Sequence, residues 1–196
     1  MVVGPVSLVG RLVRLEPLSM AHLSDLAEAA RYDEVWTYLD EETPGDDQPV
    51  AALIREALEE RARGERLAFA IVELASGHAV GSISYIDIQR THHSVEIGWA
   101  WLTPSRWRTG LSREAGYLLL RHAFETMGAV RVAFKTDSRN QRSQQAIEGL
   151  HATYEGTFHN HRILRDGALR HSRYYSVIRE DWPEVSAKLA ADRATR

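Results

Sequence analysis

The stretch Trp101 to Ala115, WLTPSRWRTGLSREA, holds the residues best placed to bind a charged ligand. An apolar run from Val95 to Leu102 meets a break at Pro104, then a basic turn, then Gly110, then a long helical pattern. Such a helix start leaves its first backbone N–H groups without intrahelical acceptors, at the positive end of the helix dipole. That geometry binds phosphate without calling on any particular side chain. Gly110 has no Cβ to keep a phosphate from the backbone, and Arg106, Arg108 and Arg113 add positive charge. An ordinary strand-to-helix turn with solvated arginines is the competing reading of the same residues.

Two further residues have acid–base or hydrogen-bonding potential. Strand alternation puts Glu96, Gly98 and Ala100 on one face, and Val95, Ile97, Trp99 and Trp101 on the other. A glutamate in so apolar a strand is costly unless it is paired or faces a cleft. Burial would raise its pKa toward the range of a general base, acting directly or through water. The alternative is a structural ion pair with an arginine. Ser143 falls on the first turn of a short helix after Asn140. Its hydroxyl can donate to a developing negative charge, or the two residues can simply cap that helix. His159 and His161, two apart on an expected strand, would share a face; His92 and His93 sit at a strand entrance. No metal-ligand spacing is evident, so no metal is expected.

The elements that position these residues are readable from pattern. Strands are expected at Arg11–Leu15, Leu67–Leu74, Ala79–Ile88, Val95–Leu102, Val130–Thr136, Ala152–His159 and Arg173–Arg179, with a Ser76-Gly77 hairpin turn. Helices are expected from an N-cap at Ser19 to Tyr32, from Pro49 to Gly64, from Leu111 to Met127, from Gln141 to Leu150, and from Trp182 onward. Glu41 to Gln48 reads as an acidic loop. Hairpins followed by strand–helix–strand–helix–strand predict an α/β (α+β) protein with a mixed sheet.

Composition narrows the function classes. The 196 residues suit one domain, with 44% hydrophobic and 26% charged residues and a net charge of −3. That balance argues against general nucleic-acid binding. The absence of cysteine excludes disulfides and a thiol nucleophile. No apolar run is long enough to span a bilayer and no secretory signal is evident, so a cytoplasmic enzyme is expected.

The run Trp107-Arg108-Thr109-Gly110-Leu111-Ser112 resembles the pyrophosphate loop of the GNAT superfamily of acetyl-CoA-dependent N-acetyltransferases. That loop runs Gln or Arg, two residues, Gly, one residue, Gly or Ala; here Trp107 and Ser112 replace its first and last members. Asp137 to Gly156, DSRNQRSQQAIEGLHATYEG, resembles the D-x-x-N-x-x-S stretch of the branch containing the ribosomal-protein alanine N-acetyltransferases (RimJ/RimL-like). Asn140, Ser143 and Glu148 match it, whereas His151 stands where Gly is usual. Leu8–Leu26 is similar to the branch's opening strand and helix, and Arg162–Val185 to its closing hairpin and Glu-Trp element, here Asp181-Trp182.

The resemblance implies an acyl-CoA N-acyltransferase fold: a mixed, centrally splayed sheet flanked by helices, in one domain over residues 8–185, with 186–196 ending the last helix. It puts the splay between the Val95–Leu102 and Val130–Thr136 strands. It implies direct acetyl transfer, in a ternary complex, from acetyl-CoA to a primary amine, either a protein N-terminus or a small amine. Arg108, Thr109, Gly110, Leu111 and Ser112 would hold the pyrophosphate, helped by Arg106 and Arg113. Backbone groups of Trp101, Leu102 and Thr103 would pair with pantetheine, amides near Leu102 would serve the oxyanion, and Asn140 would contact the cofactor arm. Glu96 would be the base and Ser143 would assist the leaving thiolate; Ile147 occupies the place of the superfamily's tyrosine acid. Trp36, Tyr38, Asp40, Glu41 and Glu42 would line an acceptor pocket suited to a cationic amine. Trp99 and Trp107 are either core or an apolar surface for a second chain, which leaves a homodimer open. The departures at Ser112, Ile147 and His151 also leave open a non-catalytic acyl-CoA-binding domain. Neither nucleic acid nor membrane is an expected partner.

Overall fold

The computed structural model describes residues 1–39, 43, 44 and 46–194. Among these residues the strands are β1 (Leu8–Val9), β2 (Val13–Pro17), β3 (Leu67–Glu73), β4 (Ala79–Gln89), β5 (Ser94–Leu102), β6 (Arg131–Asp137), β7 (Thr153–Ile163) and β8 (Leu169–Ile178). They form one open sheet in the order β1-β2-β3-β4-β5-β6-β8-β7. Every neighbouring pair is antiparallel except β5 with β6. The helices are α1 (Leu23–Ala29), α2 (Asp33–Trp36), α3 (Asp47–Arg63), α4 (Leu111–Arg121), α5 (Gln141–Glu148) and α6 (Trp182–Ala194). The fold is the expected mixed α/β architecture.

Strand alternation splits the core into two layers. Phe69, Ile71, Val95, Ile97, Val132 and Phe134 pack with α4 and α6 on one face. Ala68, Ala70 and Val72 of β3 turn the other way, against Leu26, Trp36 and Ile54 of α1, α2 and α3. That is why β3 is buried along nearly its whole length and reads as a continuous apolar run.

Helix ends follow local chemistry. The carboxylate of Asp46 accepts from the Gln48 amide at 2.8 Å to start α3, and Gly64, at φ 74°, ends it. The helix expected from Ser19 to Tyr32 is broken instead. A 3-10 turn over Met20–His22 comes first, with the Ser19 amide donating to His22 Nδ1 at 3.2 Å. The chain then bends after Ala29, where Trp36 Nε1 donates to the Ala30 carbonyl at 2.7 Å. Helix α4 is also shorter than expected and widens into a π segment over His122–Thr126. The buried Tyr85 hydroxyl donates to the Leu119 carbonyl there, a side-chain insertion of the kind that perturbs helix ladders. The β7–β8 hairpin is longer than its pattern suggested and turns near Gly167.

Glu114 ties α4 to the start of the sheet. Its buried carboxylate accepts from the amides of Arg11, Leu12 and Val13. Glu114→Ala strands the buried Val13 amide and frees the other two, so it should lower unfolding stability by ~3 kcal/mol in urea titrations. A loss below ~1 kcal/mol would contradict this role.

Candidate functional site

Parallel pairing of β5 with β6 covers only Ser94↔Arg131, Val95↔Val132 and Glu96↔Ala133. Beyond Glu96 the two strands part, at the place where a splay is expected. A bulge in β5 contributes to the divergence. Trp99 and Ala100 together oppose Ile83, between the pairs Ser82↔Trp101 and Ser84↔Gly98, and Trp99 takes φ 48°. The extra residue reverses the alternation. Val95 and Ile97 face α4, whereas Trp101 lies against Trp36 with ring centroids 5.5 Å apart. The single face expected for Val95, Ile97, Trp99 and Trp101 is therefore corrected. Trp99 is partly exposed, and one face of its ring lies under the Arg66 guanidinium, 4.7 Å from the centroid.

Past the bulge, the Thr103 amide donates to the Val80 carbonyl at 2.9 Å. Thr103 and Trp101 thus turn their backbone groups toward β4, and Leu102 turns its own toward the gap. Of the three residues expected to offer backbone to pantetheine, Leu102 alone is so oriented. Its carbonyl already accepts from Trp107 Nε1 at 2.9 Å, which leaves its amide as the group directed into the gap.

Helix α4 begins beside this gap. Gly110 is its N-cap, at φ 93° and ψ −13°, and no side chain caps it. The first intrahelical bond runs from the Glu114 amide to the Gly110 carbonyl at 3.0 Å, so the amides of Leu111, Ser112 and Arg113 precede any intrahelical acceptor. Arg108, at φ 62°, is exposed, and the Thr109 hydroxyl donates to the Arg106 carbonyl at 2.7 Å. The two expected helpers are each held by a carboxylate, Arg106 by Glu73 at 2.8 Å and Arg113 by Asp192 at 3.1 Å. A residue that local pattern did not single out, Arg142 on the first turn of α5, also reaches the loop. Its guanidinium stacks 3.5 Å from the Trp107 ring centroid and donates to the Glu34 carbonyl at 3.2 Å. Only its place inside the D-x-x-N-x-x-S stretch could have drawn attention to it.

Asn140 Oδ1 accepts from the Ser143 amide at 3.0 Å, so this atom caps α5. The Ser143 hydroxyl, by contrast, has no hydrogen-bond partner among the described residues. Gln144 fixes the turn before α5: its Nε2 donates to the Asp137 and Ser138 carbonyls and its Oε1 accepts from Arg173. Glu148 accepts from the Tyr175 hydroxyl, whose pKa is pushed to about 12 by burial and by this contact. His151, in the branch's usual glycine position, takes φ 58°, a backbone region glycine enters at less cost.

Glu96 is 4% exposed, and its Oε2 lies 2.8 Å from Lys135 Nζ. An ion pair, the alternative reading with an arginine, is present but made with a lysine. Register explains the partner: Ala133 opposes Glu96, and Lys135 lies two residues further along the same face. Burial pushes the carboxyl up; Lys135 opposes part of that rise, Asp87 adds to it and Arg162 reduces it.

His159 and His161 do not share a face. Three residues, 159–161, bulge opposite His171, and Asn160 takes φ 49°. His161 lies 2.9 Å from Ser172 Oγ and 3.2 Å from Tyr174 Oη, whereas His159 packs on His171 with centroids 4.9 Å apart. Burial, followed by Lys135, Arg162 and Arg170, holds the His161 imidazole below its ordinary pKa. In the expected acceptor region, Trp36 is core at 3% exposure, a correction. The half-buried Tyr38 donates to the Arg139 carbonyl at 3.4 Å. Asp40, Glu41 and Glu42 lie outside the described residues.

A splayed β5–β6 pair beside an uncapped helix start suits an extended, diphosphate-bearing ligand. The family model described as an acetyltransferase (GNAT) domain matches residues 12–153. A T. thermophilus protein assigned as an acetyltransferase is 42% identical over 98% of this chain and 99% of its own, with a TM-score of 0.81. A GCN5-related N-acetyltransferase from Brucella melitensis is 26% identical over 96% of this chain and 85% of its own, with a TM-score of 0.90. Mycobacterium smegmatis RimJ in complex with CoA-disulfide shares the fold, at 20% identity and a TM-score of 0.80 over 96% of this chain and 93% of its own. Matched along most of its length by family model and solved structures alike, this chain belongs to the GNAT acetyltransferase family.

Proposed function

We propose that the protein moves an acetyl group from acetyl-CoA to a primary amine by direct transfer in a ternary complex. The observation that carries this reading is the bare amide cluster at the start of α4, set beside the β5–β6 gap. The amides of Leu111, Ser112 and Arg113 receive the diphosphate, with Gly110 admitting it closely and Arg108 and Thr109 at its rim. The Leu102 amide receives the pantetheine arm or the thioester oxygen from the gap side. Asn140 sets the start of α5 and so the place of Ser143.

The amine nitrogen attacks the thioester carbonyl carbon, the C–S bond breaks, and the thiolate leaves with the bonding pair. Glu96 takes the proton lost by the amine, and the Ser143 hydroxyl donates a hydrogen bond to the departing sulfur. Ser143→Ala should therefore lower kcat by about 10-fold. Its urea midpoint should not move, since the hydroxyl has no partner within the described chain. An unchanged kcat would remove Ser143 from the reaction.

The acceptor is a protein N-terminal amine, as the RimJ/RimL-like segments suggest, or a small amine. The transferase domain spans residues 8–185, the end of α6 follows it to Ala194, and a cytoplasmic setting completes the proposal. The test is thiol release from acetyl-CoA with a panel of small amines and N-terminal peptides, and mass spectrometry of each acceptor. Release with an acetylated product is expected. Tight coenzyme A binding without release on any acceptor would overturn transfer in favour of ligand binding alone.

A further inference from the structure

Lys135 has no part in the scheme above, yet it makes the closest contact to its proposed base. Its Nζ lies 2.8 Å from Glu96 Oε2, and the two side chains are 19% and 5% exposed. The pair stands where β5–β6 pairing ends, at Glu96↔Ala133, and so at the vertex of the gap. Val95, Ile97, Val132 and Phe134 point into the α4 layer. Glu96 and Lys135 therefore project from the opposite face, where Lys135 Nζ also lies 5.6 Å from the Tyr174 ring centroid.

The two carboxylate oxygens are in different situations. Oε2 is held by Lys135. Oε1 lies alongside Gly98, where an added Cβ would come within 3.2 Å of it and within 2.7 Å of Ile86. The missing side chain at Gly98 leaves room for Ile86 and Oε1 to sit side by side, and among the described residues Oε1 accepts no hydrogen bond. The charged or titratable groups around the carboxylate are Asp87 from β4, Lys135 from β6, Arg162 and His161 from β7 and Tyr174 from β8. Of these, Lys135 touches it directly, and Arg162 and Asp87 act on it at longer range with opposite signs.

We propose that Lys135 is a positioning residue: it grips Oε2 so that Glu96 stands as an aimed carboxylate at the vertex of the gap, with Oε1 left to receive the acceptor proton. The proposal rests on Glu96 being the base. In the transfer step the amine proton moves to Oε1 while Lys135 keeps its own. Protonation cancels the charge that Lys135 was pairing, so the lysine favours release of that proton and return of the carboxylate. A buried carboxylate without this cation would hold a proton at higher pH.

The test uses Lys135→Met, Lys135→Gln and Lys135→Arg in the full chain, with kcat/KM measured against pH and the Glu96 carboxyl titrated by carbon NMR. In Lys135→Met the acid limb should move up by about one pH unit, a roughly tenfold loss of kcat/KM below the limb. The high-pH plateau should fall as well, because the carboxylate loses the contact that aims it, whereas coenzyme A affinity should stay within about 2-fold. Lys135→Gln keeps a hydrogen bond without the charge, should show the same displacement, and carries the test if the methionine variant does not fold. Lys135→Arg should restore the parent limb. An acid limb and a Glu96 titration that both stay in place in folded Lys135→Met or Lys135→Gln would overturn the proposal, whatever the loss of activity. The parallel variant Glu96→Gln separates the two claims: persistence of the parent acid limb in it removes Glu96 as base, and with it the catalytic meaning of Lys135.

Discussion

Gly110→Asp is expected to weaken coenzyme A binding by about 100-fold or more, equivalent to ~2.7 kcal/mol by calorimetry. Two effects combine. The residue sits at φ 93°, where a side chain is strained, and the aspartate would place a negative charge in front of the α4 amides. Gly110→Ala adds the Cβ without the charge and should fall between the parent and Gly110→Asp. The strain acts on the fold too, so urea midpoints must accompany the titrations. A loss of affinity at an unchanged midpoint belongs to the site. Unaltered affinity in Gly110→Asp would remove the diphosphate from this helix start.

Glu96→Gln is expected to lower kcat by about 10²–10³-fold while leaving coenzyme A affinity within about 2-fold. The amide keeps the shape of the carboxylate but cannot take the proton. In the parent, burial outweighs Lys135 and holds the Glu96 carboxyl above its ordinary range. Activity is therefore full at pH values above that raised pKa and falls as the pH drops through it, because the base becomes protonated. Glu96→Gln should lose this acid limb. A parent-like profile at reduced rate would assign the base to another group, and His161, held below its ordinary pKa, is the next to test.

The sequence carried the site's framework better than its partners. Gly110 before a helical run marked the uncapped start of α4, and the apolar strand around Glu96 marked a buried carboxylate. Those signals are local: a turn residue, a period and one charge out of place. The bulge at Trp99 left no such trace, since period-two reading assumes that no residue is inserted, and the faces assigned beyond it came out reversed. Asn160 did the same to the two histidines of β7. The partners of the loop arginines were hidden for another reason. Their carboxylate partners lie 33 and 79 positions away, at Glu73 and Asp192, and only the tertiary fold brings them together. Lys135 escaped notice because its contact with Glu96 depends on the parallel register of β5 with β6, which no local pattern encodes.

The most direct test of the whole account is a crystal structure of this protein with coenzyme A bound. It should show the diphosphate within hydrogen-bonding distance of the Leu111, Ser112 and Arg113 amides, and the pantetheine arm running through the β5–β6 gap past Leu102. A nucleotide seated elsewhere, or those amides taken up by the protein's own atoms with ligand present, would contradict it.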